Sequence, residues 1–277
     1  MEVSDDHRSW RKRLLAFYPI WDVRDEVVPD DSSQSPQEQV ARDVALARER
    51  IRAAGPDERP PALFRLWSNT RCLVVTQREE RLPSFAAAAR ASAERGWPVV
   101  VRDSGGTTVP HTPGTLLFTL LLPRRRAEDP PVPEPRADEV FTLLCDPVIE
   151  AMACMGVTAT YGAVPRSFCD GRFNLVAHHR KIAGTAQRWR GGLPRYPVRE
   201  GFIMAHLALY VDTDMHAATR AVNSFLADTG SSEAFDSGQM ISLREAMQLS
   251  GAGTQQSDVL PVFRERLVGV LQQLASG

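Results

Sequence analysis

The sequence predicts a mixed α+β fold and not a doubly wound parallel sheet. Three observations carry this reading. Apolar runs of strand length come in pairs joined by short turn-like links. Helical patterns are inserted singly between them, and no internal repeat or regular strand–helix alternation runs along the chain. The 277 residues, with 43% apolar and 24% charged side chains, support a packed core.

Composition also excludes function classes. The formal net charge of −1 gives no global field for nucleic acid or an anionic membrane, so neither is expected as a partner. No apolar run reaches the length of a membrane-spanning helix, and the acidic, polar start lacks a signal-peptide core. Cys72, Cys145, Cys154 and Cys169 show no Cys-x-x-Cys spacing. They read as reduced thiols of a cytoplasmic protein, with no metal expected.

In chain order, residues 1–34 read as a polar N-terminal extension carrying Trp10, Phe17, Tyr18 and Trp21, and residues 35–277 as the main domain. Ser35-Pro36-Gln37-Glu38 is a helix start: Ser35 caps, Pro36 takes the first helical position and Glu38 completes a capping box. Val40, Val44, Ala47 and Ile51 follow at helical spacing until Gly55-Pro56. Residues 62–76 read as two strands around a Ser68-Asn69-Thr70 turn, 82–95 as an Ala-rich helix, and 98–102 as a strand. Residues 115–122 form another strand, and the proline-dense stretch 123–136 an exposed connection without regular structure. A helix ends at Gly156, with Pro147 expected to kink it or mark its start. Residues 201–211 are a long apolar strand, Asp212-Thr213-Asp214 caps a helix, and two further helices cover 242–249 and the C-terminus from about residue 258.

Two stretches carry chemistry. Around Arg102-Asp103-Ser104-Gly105-Gly106-Thr107 and His111, a strand enters a Gly-Gly turn. Consecutive N–H groups there can form a concave anion or carbonyl site, and Arg102 can add a charge-assisted contact. The second stretch is 165–190, with Cys169 and Lys181 12 residues apart. Asn174–Ala177, the His178-His179 turn and Arg180–Gly184 form a hairpin whose antiparallel return brings Cys169 and Lys181 toward one pocket. Gly171 and Gly184 remove side chains where a ligand needs close backbone approach.

Together these motifs, Arg-x-Ser-Gly-Gly-x-x-Val-x-His and then Gly-Arg-x-Asn-Leu…Arg-Lys-Ile-x-Gly-x-Ala-Gln, resemble the biotin/lipoate A/B protein ligase family, over roughly residues 36–250. The resemblance implies the α+β catalytic domain of that family, one mixed, mostly antiparallel sheet flanked by helices and akin to class II aminoacyl-tRNA synthetases, over residues 35–277. It also implies an acyl-binding tunnel lined by Arg102, Ser104, Gly105, Gly106, Thr107, His111, Gly171, Asn174, Gly184, Ala186 and Gln187. Phe168-Cys169-Asp170-Gly171, twelve residues before Lys181, is similar to the pattern of cysteine-dependent octanoyl and lipoyl transferases. That implies a Cys169 nucleophile, a Lys181 carbonyl contact and charge partner, an octanoyl or lipoyl group as substrate and no further cofactor. The implied partners are lipoyl-domain proteins (2-oxoacid dehydrogenase E2, glycine cleavage H protein) or an acyl carrier protein. The alternative within the family is a lipoate–protein ligase, which uses ATP and Mg2+ to form a lipoyl-adenylate. Two positions depart from the pattern: Thr107 stands where a third glycine is usual, and His178-His179 where the turn usually has glycine.

Overall fold

In a computed structural model, the described residues are 18, 20–27, 35–55, 58, 60–125, 135–190, 200–252 and 258–276. They form the mixed α+β architecture expected. The elements are β1 (Trp21–Glu26), α1 (Pro36–Ala53), β2 (Ala62–Trp67), β3 (Cys72–Thr76), α2 (Gln77–Glu80), α3 (Phe85–Glu94), β4 (Val99–Arg102), β5 (Val109–His111) and β6 (Thr115–Arg125). Then follow α4 (Ala137–Ala153), β7 (Thr160–Tyr161), β8 (Leu175–Ala177), β9 (Arg180–Arg190), β10 (Glu200–Tyr210), α5 (Met215–Asp228), α6 (Leu243–Leu249) and α7 (Val259–Ser276).

The main sheet runs β1-β2-β6-β10-β9-β8-β7, and a small sheet runs β4-β3-β5. Among the described residues, only the strand pairs β1–β2 and β3–β4 are parallel; the other strand pairs are antiparallel. One face of the main sheet packs Phe64, Phe118, Leu120 and Ile203 against α4 and α7, through Leu144, Val148, Phe263 and Leu267. A second core joins the small sheet to α5 through Leu73, Val75, Val222 and Phe225.

Local signals place the start of α1. Ser35 Oγ accepts from Glu38 N (3.2 Å) and Glu38 Oε2 accepts from Ser35 N (3.1 Å), so the capping box forms in both directions. Asp214 caps α5 by accepting from Ala217 N at 2.9 Å.

Four features differ from the sequence reading or extend it. Trp21–Glu26, read within the N-terminal extension, is the edge strand of the main sheet, paired with β2. The strands at 62–67 and 72–76 share a turn but not a sheet: β2 joins β6, whereas β3 is the centre of the small sheet. The turn between them redirects the chain instead of folding it back. Strand β6 continues through Pro123 to Arg125 despite the prolines. Pro123 removes one N–H, and its carbonyl takes the Tyr18 hydroxyl at 2.9 Å; the rest of that stretch, 126–134, lies outside the described residues. Finally, α4 is one helix with Pro147 buried inside it.

Candidate active site

The site lies where the small sheet meets the main one. An apolar pocket is walled by Val40 and Val44 of α1, Val74 and Val109 of the small sheet, and Leu117, Gly184, Ala186, Met204 and Ala208 of the main sheet. Arg102, Ser104, His111, Cys169, Lys181, His206 and Tyr210 bring the polar groups. This is the composition of a site that buries an apolar ligand and orients it with few polar contacts.

Cys169 sits on the loop between β7 and β8 with φ 47°, a left-handed conformation that non-glycine residues seldom adopt. Its surroundings hold it there. Cys169 N donates to Thr107 Oγ1 (3.1 Å), and Cys169 O accepts from Asn174 Nδ2 and Lys181 Nζ, both at 3.0 Å. Thr107, the departure from three glycines, therefore contributes a hydroxyl that fixes the cysteine backbone. Such over-determined strain is characteristic of functional positions.

Lys181 reaches the site through a β-bulge. The β8–β9 pairing slips between Leu175↔Ala183 and Val176↔Lys181, so Ile182 and Ala183 both enter the core. Lys181 and Gly184 then share the pocket face although they are three residues apart, which a regular strand would forbid. Gly184 makes room for the lysine: a Cβ there would lie 3.1 Å from Nζ. The ammonium is fully buried and donates to the carbonyls of Phe168 and Cys169. Burial lowers its pKa to about 8, against an opposing pull from Cys169 and Asp170. Of its three N–H groups, two are used by carbonyls, leaving one for the pocket.

The glycine loop brings Arg102. Its Nη2 donates to Gly105 O (3.0 Å) and Thr107 O (2.8 Å), curling the loop around the guanidinium. Gly106, at φ 111°, separates Arg102 from the thiol: a Cβ there would meet Cys169 Sγ at 2.6 Å and Arg102 Nη2 at 2.7 Å. Burial lowers the Arg102 pKa, and the neighbouring Cys169 and Glu79 oppose the shift. Glu79 also locks the far end of the loop, accepting from Thr108 N at 3.2 Å and Thr108 Oγ1 at 2.5 Å. Two buried polar atoms at the pocket, Arg102 Nε and His111 Nδ1, have no partner among the described residues. Burial holds His111 neutral, with its pKa lowered to about 3.

The expected residues thus fall into groups. Cys169, Lys181, Arg102, Ser104, His111, Gly184 and Ala186 line the pocket. Thr107, Gly105, Gly106 and Asn174 act one step back, on the cysteine backbone or the arginine. Gly171 closes the turn before β8, its carbonyl accepting from Asn174 N at 3.0 Å. Gln187 points elsewhere, donating to Ala137 O (3.0 Å) and accepting from Trp189 Nε1 (2.9 Å).

Sequence reasoning did not single out His206, Tyr210 or Thr119 for this pocket. The period-two pattern of β10 could have placed His206, Ala208 and Tyr210 on one face. The His178-His179 turn has φ 48° and 60°, the two left-handed positions a tight hairpin requires, and His178 Nε2 lies 3.2 Å from Ala246 O and 3.0 Å from Ser250 Oγ. Among the described residues, no three His, Cys, Asp or Glu side chains gather as a metal site.

Comparison with known proteins agrees with the fold and the motifs. The family model described as "Lipoyl protein ligase A/B catalytic domain" matches residues 35–260. An octanoyl-[GcvH]:protein N-octanoyltransferase of Kyrpidia tusciae is 38% identical over 80% of this chain and 71% of its own length. A lipoyl-[GcvH]:protein N-lipoyltransferase of Listeria monocytogenes is 28% identical over 46% of this chain and 44% of its own. Among solved structures, lipoate-protein ligase A bound with ATP superposes with a TM-score of 0.61 at 16% identity, covering 92% of this chain and 86% of that one.

Proposed function

The chain belongs to the lipoyl protein ligase A/B catalytic-domain family, and on that premise we propose that it transfers an octanoyl or lipoyl group to a lipoyl-domain lysine through a Cys169 thioester. The observation that carries this reading is the thiol's placement: Sγ sits across Gly106 from the Arg102 guanidinium, in an apolar pocket with the buried Lys181 ammonium beside its backbone.

The attacking species is the thiolate. The thiolate attacks the donor's acyl carbonyl. A carbon–sulfur bond forms, the bond to the donor's leaving atom breaks, and that atom takes a proton from solvent. A neutral acceptor lysine amine then attacks the thioester; a carbon–nitrogen bond forms, the thiolate leaves, and the amine's surplus proton goes to solvent. The free Lys181 N–H and the unpartnered Arg102 Nε are the donors for the oxyanion in both halves. Donor and acceptor are lipoyl-domain proteins; the glycine cleavage H protein is favoured as donor, because the similar Kyrpidia and Listeria enzymes carry GcvH in their names.

The ligase alternative needs ATP and Mg2+. Asp103 is the carboxylate lining the pocket among the described residues, and it already accepts from Gln77 (2.8 Å) and Arg190 (2.9 Å) and pairs with Arg188 (3.1 Å). That set does not offer a divalent cation a free carboxylate, and no step is routed through one.

The test is intact mass after incubation with an octanoylated donor protein without ATP. A hydroxylamine-sensitive adduct on Cys169, absent in Cys169→Ala, is expected. Full transfer by Cys169→Ala would overturn the assignment. Cys72 and Cys145 are buried with pKa values raised by burial, so exposed Cys154 is the internal control for thiol reactivity.

A further inference from the structure

Behind the pocket wall, and reaching it through Trp67, Thr119 and His206, lies a polar cluster that thioester chemistry does not use. Asp43 is fully buried on α1 and receives Arg65 Nη1 at 2.8 Å and Thr119 Oγ1 at 2.8 Å. Having given its one proton to Asp43, the Thr119 hydroxyl is an acceptor for Trp67 Nε1 at 3.0 Å. His206 Nδ1 faces these same two acceptors, Thr119 Oγ1 at 3.3 Å and Asp43 Oδ2 at 3.4 Å. This accounting fixes the tautomer: Nδ1 carries the hydrogen. Burial together with nearby Arg102 and Arg65 lowers the His206 pKa, with Asp43 opposing, so the ring is neutral at neutral pH. Nε2 is then a lone-pair acceptor without a partner among the described residues, on a side chain that is 23% exposed and lines the pocket.

Distance along the sheet says what meets it. Tyr210 lines the pocket together with Cys169, and His206 is four residues back along β10, on the same face, about 13 Å from Tyr210 at the rise of a strand. That puts His206 at the part of the pocket away from Tyr210, where the last carbons of a medium-length acyl chain anchored on Cys169 come within the reach of its imidazole. His111, with its own unpartnered buried Nδ1, lines the same pocket, its ring 6.1 Å from that of Trp67. A plain hydrocarbon chain would leave both imidazoles unsatisfied, at a cost.

Resting on the acyl-pocket reading above, we propose that His206, oriented by Asp43 and Thr119, forms a polar subsite that takes an acyl chain bearing a hydroxyl group in its distal half. The subsite discriminates among acyl groups and takes no part in bond making.

The experiment offers the full chain equal amounts of octanoyl and 6- or 8-hydroxyoctanoyl donors and reads the Cys169 adducts by intact mass. Binding of the corresponding free acids is titrated in parallel. A preference of roughly three- to tenfold for one hydroxylated chain is expected, the worth of one net hydrogen bond. His206→Leu should erase that preference, and His206→Gln, which keeps an acceptor, should restore part of it. No preference in the unaltered protein, or a preference unchanged in His206→Leu, overturns the subsite. A hydroxyl preference among the free acids with no Cys169 adduct would instead refute the thioester reading and leave the subsite standing.

Discussion

At the residue scale, the decisive group is the ammonium of Lys181. Its proton is retained below about pH 8 and lost above. Once neutral, it no longer clamps the Phe168 and Cys169 carbonyls with charge, so transfer should fall on the alkaline side with an apparent pKa near 8. Lys181→Arg should move that limb upward; a pH–rate profile with no alkaline fall and no response to the variant would count against the role. Stability follows the same shift with the opposite slope. The folded pKa lies below the ordinary 10.5, so the unfolded chain binds more protons between about pH 8 and 10.5, and this group's contribution rises with pH there. The sequence showed that Cys169 and Lys181 could converge. It did not show that the lysine would grip the cysteine's backbone while Arg102 approaches the thiol, because that division depends on the positive φ of Cys169 and Gly106, set by contacts between distant segments.

At the element scale, what could be read in advance was local. The start of α1 was legible because Ser35, Pro36 and Glu38 each act within one turn. Ser35→Ala should cost about 1 kcal/mol, removing one cap hydrogen bond and half of the capping box; urea unfolding curves would measure it, and no loss would mean that tertiary packing alone holds that end. The hairpin at 178–179 was legible for the same reason. The bulge in β9 was not, since Ile182 and Ala183 continue an apolar run and nothing local marks the extra residue. The separation of β2 from β3 was hidden too, because their true partners lie about fifty residues downstream in β6 and close to thirty in β4.

For the whole molecule, the strongest tie between α1 and the main sheet is ionic. Arg65, fully buried on β2, is held by Asp43, Gln39 and Glu26 at 2.7–2.9 Å. In a strand that alternates in sequence, an arginine reads as solvent-facing; here helices cover both faces, so the polar position became an internal anchor. Asp43→Ala leaves the guanidinium short of a counter-charge and should destabilise the fold by about 3–5 kcal/mol in urea unfolding. Combining it with Arg65→Met should recover part of that loss, and a double variant no better than the single would show that the pair was not coupled.

The edge strand has a practical consequence. The family match begins at residue 35, yet Trp21–Glu26 seals the open side of β2 and supplies Glu26 to Arg65. A chain shortened to the family boundary would present a flat, apolar row of unpaired N–H and C=O groups. Its failure would show first as self-association through that row, with soluble yield falling as concentration rises, while the loop that carries Cys169 kept all its residues.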